Sequence, residues 1–140
     1  MRGPRWNDFD AVAERVNTPE LLHYYITKNI TYKKGPNTQS ATQAFSRGFG
    51  DCYDVAFFGK YLLDRAGYKT AVRQVKYMND QQYGVLVIQP DRHYILAVDF
   101  TPAGNTPSGP YGAISQVDNA LSGGRTIYYR SWGSDLLPGK

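Results

Sequence analysis

The chain has a single cysteine in 140 residues, so it has no intrachain disulfide framework. It has only two histidines, His23 and His93, and no cysteine pair, which leaves no spacing suited to zinc ligands. No metal and no other cofactor is expected. Long hydrophobic runs are also missing. Stretches such as Val85-Leu86-Val87-Ile88 fall far short of the roughly 20 apolar residues a spanning helix needs. The opening MRGPRWNDFD lacks the apolar core of a signal peptide. The expectation is a soluble protein with no membrane span, in a compartment the sequence does not name. Charge of one sign is scarce too. Against 16 Lys+Arg stand 12 Asp+Glu, a net +4 in which only Lys33 and Lys34 are adjacent. No finger-type or RNP-type motif accompanies the tyrosines, so nucleic acid is not the expected partner.

What is present fits one domain spanning residues 1–140. A chain of this length buries roughly two thirds of its unfolded surface without covalent staples. The first half has helical period. Asn7 can cap a helix whose stripe is Phe9, Val12, Ala13 and Val16. Thr18-Pro19-Glu20 restarts the chain with a cap and a proline at the first helical position, and Leu21, Leu22, Tyr25 and Ile26 are expected inward. Ile30-Thr31-Tyr32 reads as a short extended piece, and Ser40 to Ser46 as a short helix. The strongest helix runs from Asp51 to just before Gly67, with Val55, Phe58, Gly59, Leu62, Leu63 and Ala66 on one face.

After Gly67 the period becomes that of strands: Tyr68 to Tyr77, Tyr83 to Gln89, Tyr94 to Phe100 and, last, Thr126 to Trp132. Short connections favour an antiparallel meander. Thr101 to Gly112 holds three prolines and three glycines and reads as a long loop bordering a site. A short helix is expected around Ala113 to Leu121. Helices first and an antiparallel sheet after make an α+β domain.

The chemistry concentrates at the lone cysteine. Asp51 is placed to cap the long helix by accepting from the N–H of Asp54, which puts Cys52 at the first helical position. There the unpaired N–H groups and the positive end of the helix dipole favour a thiolate, the nucleophilic form of cysteine. The carboxyl groups of Asp51 and Asp54 work in the opposite direction. Read from the residues, Cys52 is either a nucleophile or a small buried hydrophobe.

Gly50-Asp51-Cys52-Tyr53-Asp54-Val55-Ala56, followed by Lys60-Tyr61-Leu62-Leu63 and Ala66-Gly67-Tyr68, resembles the transglutaminase-like, papain-like superfamily. It is particularly similar to the bacterial transglutaminase-like cysteine proteinases and their G-D-C-x-D-x-A motif. Ala41-Thr42-Gln43 and Arg47-Gly48-Phe49-Gly50 resemble that family's approach to its cysteine. The likeness covers about residues 20 to 102. It implies a cysteine-bearing helix packed on an antiparallel sheet, with Cys52 as nucleophile, a histidine on the sheet, and an aspartate on the next strand to orient it. It further implies substrate contacts from Asp51 and Tyr53, and a peptide or protein partner.

Asp99 matches the family's aspartate, although an aspartate just before Pro102 can equally cap a turn. At the histidine position the chain departs from the pattern. Tyr83 falls there, or less favourably Gly84. A phenol with a pKa of about 10 is a poor base at neutral pH. His93 is a substitute base only if its loop folds back over Cys52. Six residues of regular strand would hold it roughly 20 Å from Asp99. Two functions follow. One is a thiol enzyme acting on a peptide or amide bond, as a cysteine peptidase, amidohydrolase or transamidase. The other is a catalytically lapsed relative that binds a peptide or glycan.

Overall fold

The structure is a computed structural model that describes residues 9–34, 39–77, 82–91, 93–101, 104–113, 115–117, 120 and 126–133, with 75–77, 82, 83, 99, 101, 104–107 and 126–132 described by backbone alone. Four helices come first in the chain: α1 (Phe9–Arg15), α2 (Pro19–Asn29), α3 (Ala41–Arg47) and α4 (Cys52–Arg65). Two short strands, β1 (Thr31–Tyr32) and β2 (Phe49–Gly50), pair in parallel between them. Five longer strands follow: β3 (Lys69–Tyr77), β4 (Gln82–Asp91), β5 (Tyr94–Thr101), β6 (Gly104–Tyr111) and β7 (Thr126–Gly133). They form one antiparallel sheet in the order β6-β5-β4-β3-β7, a four-strand meander whose first strand also pairs with the last strand of the chain. The expected α+β architecture is observed.

Local chemistry sets the helix ends. Thr18 Oγ1 accepts from Leu21 N at 3.1 Å, and Pro19 takes the first position of α2, where no N–H is needed. Ser40 and Gln43 cap each other across the first turn of α3. Beyond α4, Gly67 takes a φ of 98°, the left-handed region that ends a helix without strain on a side chain. The Asn7 cap lies outside the described residues.

Alternation along the strands divides the sheet into two faces. Val72 of β3, Leu86 and Ile88 of β4, and Val98 and Phe100 of β5 join the helices in the main core, around Leu22, Ile26, Phe58, Leu62 and Leu63. Ala71, Val85, Val87, Ile95 and Ala97 point the other way, into a smaller cluster closed by Val117, in a helical stretch of residues 115–117. Each large apolar side chain buried in these layers contributes about 1.5–3 kcal/mol. α4 lies along β4 with its N-terminal end toward the start of that strand. An added Cβ at Gly84 would collide with Tyr53, and one at Gly59 would collide with Leu86 and Leu22.

Two expectations differ from the structure. The proline-rich segment 101–112 is no loop over a site: most of it is β6, bonded to β5 from Ile95↔Tyr111 to Thr101↔Gly104. It is an edge strand, and at an edge a proline's missing N–H costs no ladder bond. Leu21 and Ala66, both expected inward, are exposed, Leu21 at 45% on the outer face of α2 and Ala66 just past the last turn of α4.

Candidate functional site

The N-terminus of α4 is held by a set of hydrogen bonds that continues beyond the helix. Asp51 Oδ1 accepts from Tyr53 N and Asp54 N, both at 3.0 Å, and Asp54 Oδ2 accepts in return from Asp51 N at 3.1 Å. This reciprocal box satisfies N–H groups that the helix itself leaves without partners. Cys52 is therefore the first residue of α4, as the spacing implies, and it is partly buried. Burial pushes the Asp51 carboxyl above the ordinary aspartate range, helped by the neighbouring Asp54 carboxyl, while the N–H bonds pull the other way.

Asp54 is only 1% exposed and reaches across to the segment before α3. Its Oδ1 accepts from Gln39 N at 2.7 Å and its Oδ2 from Gln39 Nε2 at 3.0 Å. Gln39 Nε2 also donates to Phe49 O at 2.8 Å, and Gln39 Oε1 accepts from Arg47 Nη1 at 3.1 Å. One buried amide thus ties α3, β2 and the turn that carries Cys52. The Asp54 Cβ lies 2.7 Å from where a Cβ on residue 50 would stand, so only glycine fits before Asp51. The second aspartate of G-D-C-x-D is accordingly a structural tie. Gln39, just before the helix expected from Ser40, gave no signal in the sequence.

The face of the sheet toward Cys52 is set by register. β4 pairs with β3 without interruption from Lys76↔Gln82 to Lys69↔Gln89, so alternation along it is unbroken. Gly84 stands in the row of Leu86 and Ile88, facing α4, and the Tyr53 ring covers it, with carbons 2.7 Å from the position of an added Cβ. On β5, Phe100 is in the row of Val98, and its ring packs on Tyr32 at 5.5 Å. Tyr32 belongs to β1, beside β2 and the cysteine turn. Gly84 and Phe100 thus stand on the helix side of the sheet. Beyond their backbone, Tyr83 and Asp99 lie outside the described residues.

The two histidines are elsewhere. His93 sits at the β4–β5 tip, its ring Nδ1 2.7 Å from Asp91 Oδ1 and its N–H donating to the same oxygen at 2.8 Å. Those contacts, the N–H first, hold the Asp91 carboxyl below the usual aspartate range. Seven residues of strand separate Asp91 from Gly84, about 20 Å along β4. His23 follows Leu22, whose side chain meets Gly59, two turns along α4 from Cys52 and about 10 Å in rise. No group of three His, Cys, Asp or Glu side chains among the described residues is placed to hold a metal ion.

A cysteine opens a core helix that lies on a meandering antiparallel sheet, and the chain has the transglutaminase-like fold. Solved structures agree. The chain is similar to Legionella pneumophila LapG, a transglutaminase-like cysteine protease, at TM-score 0.59 and 14% identity, covering 90% of this chain and 76% of that one. The calcium-bound form of LapG matches at TM-score 0.59 and 15% identity, covering 96% and 82%. An EGTA-treated form matches at 0.57 and 15%, covering 91% and 74%. At such identities the likeness is one of fold. No family model and no curated protein matches the chain.

Proposed function

We propose that this chain is a non-hydrolytic relative of the transglutaminase-like proteases, which holds a peptide at the Cys52 end of α4 without cleaving it. The observation that carries this reading is the row of strand positions facing that end, where Gly84 lies under the Tyr53 ring and Phe100 packs on Tyr32. A thiol protease needs a proton acceptor within about 2.6–3.2 Å of its nucleophile, or one water away, and a third group to orient it. Glycine and phenylalanine can do neither. The peptide class of ligand is supported by the fold, which the chain shares with LapG, a protease.

A second reading, a working thiol enzyme, is favoured by one observation. Cys52 is partly exposed at the first position of a fourteen-residue helix, where the dipole stabilises a thiolate. Alkylation by iodoacetamide across pH decides between the two, run beside hydrolysis of a denatured-casein peptide mixture. The proposal expects Cys52 to react below neutral pH no faster than N-acetylcysteine, and no cleavage. Rapid alkylation at pH 6, or cleavage lost in Cys52→Ala, overturns it in favour of the enzyme. The double variant Tyr53→Ala/Gly84→His clears the ring from residue 84 and offers an imidazole there. Its thiol is expected to react at least tenfold faster than the wild type at pH 6.

A further inference from the structure

The end of α1 and the exposed side of α2 border a groove of about 770 Å³ lined by Arg15, Val16, Leu21, Tyr24, Tyr25, Lys28 and Asn29. Val16 and Tyr25 are buried and form its floor, and Tyr25 stacks on Phe58 of α4 at 5.7 Å. Leu21 and Tyr24 stand 45% and 61% exposed, two of the three large apolar side chains so exposed among the described residues. Leu21 and Tyr24 stand three residues apart on the exposed side of α2, so together they make a short apolar stripe. Packing within the fold does not require that stripe, since the core-facing residues Leu22, Tyr25 and Ile26 are buried beside it. Clustered exposed apolar side chains in a concavity mark a binding surface.

Charge selects the occupant. Among the described residues that line it, the ionisable ones outside the tyrosines are the cations Arg15 and Lys28. The Lys28 ammonium stands 5.8 Å from the centre of the Tyr24 ring, so it sits beside the apolar stripe. We propose that this groove docks an acidic peptide segment, with a large aliphatic or aromatic side chain inserted between Leu21 and Tyr24 over Val16, and a flanking carboxylate on Lys28. The surface is concave, which suits an inserted side chain better than a flat anionic membrane. The inference does not depend on whether Cys52 turns over.

The test uses the full chain and a fluorescein-labelled probe peptide, Glu-Asp-Leu-Phe-Glu-Asp-Leu-Glu, read by fluorescence anisotropy. Saturable binding is expected. Lys28→Glu should weaken it at least tenfold, and Leu21→Ser and Tyr24→Ser should each weaken it about as much, because all three side chains are exposed and dispensable for folding. Circular dichroism checks that each variant is folded, and Lys28→Glu decides the matter if either apolar variant is not. Cys52→Ala should leave the affinity unchanged, which separates this surface from a ligand held at the cysteine. Absence of saturation, equal binding by Lys28→Glu, or loss of binding in Cys52→Ala overturns the proposal. So does tighter, Leu21-dependent binding to phosphatidylcholine–phosphatidylglycerol vesicles than to the probe.

Discussion

Replacing Asp54 by alanine tests the tie beneath the cysteine turn. Its carboxyl oxygens accept three hydrogen bonds, from Gln39 N, Gln39 Nε2 and Asp51 N, at 2.7, 3.0 and 3.1 Å. Gln39 Nε2 keeps Phe49 O as a partner, so the change strands chiefly two backbone N–H groups in a region where Gln39 is 7% exposed and Asp54 1%. Each buried donor left unsatisfied costs about 1–3 kcal/mol. With local relaxation the expected total is about 3–4 kcal/mol, a large share of the roughly 5–15 kcal/mol that holds a domain folded. For a chain of this size it corresponds to a fall in Tm of about 10 °C. Urea unfolding followed by circular dichroism measures it, with Glu14→Ala as the exposed control, expected within about 0.5 kcal/mol of wild type. A loss below about 1 kcal/mol for Asp54→Ala refutes the argument that Asp54 ties the turn.

Gly84→Ala should destabilise by about 1–3 kcal/mol, because its methyl meets the Tyr53 ring at 2.7 Å, and Tyr53→Ala in the same chain should remove most of the added cost; additive losses in the double-mutant cycle contradict the contact. Gly50→Ala is expected to cost a similar amount by displacing Asp54, whose Cβ lies 2.7 Å away, and denaturant unfolding reads it directly. Because burial raises the folded-state pKa of Asp51, the folded chain binds more protons there than the unfolded one, so this group's contribution to stability falls as pH rises from the ordinary aspartate range through the folded value. Asp51→Asn keeps a good cap and should flatten that part of the stability–pH curve, which unfolding at a series of pH values between about 3.5 and 6.5 checks; an unchanged slope counts against the assignment.

The helix carrying Cys52 was legible because every signal for it is local. Asp51 and Asp54 sit three apart, the apolar residues keep the 3.6 period, and Gly67 stops the helix, so cap, face and end are all written within seventeen residues. Strands β3, β4 and β5 were legible for the same reason. Strand β6 was not, because proline content signals a loop only where the ladder needs the missing N–H, and whether a segment lies at a sheet edge is a property of the whole fold. Gln39 was hidden for a related reason: burial of one polar residue in a polar stretch is decided by what folds over it.

The site turns on a finer version of that limit. Side chains alternate across a sheet, so assigning the histidine position to residue 83 or to residue 84 chooses between opposite faces. Spacing along the chain favoured 83 by a single residue. The collision of an added Cβ at Gly84 with Tyr53 gives 84 to the helix side. Tyr53, the residue next to the cysteine, fills the space that a side chain at residue 84 would occupy. Placing an imidazole at residue 84 therefore requires two changes, and on the non-hydrolytic reading Gly84→His alone should give a chain that is less stable than the wild type and no more reactive.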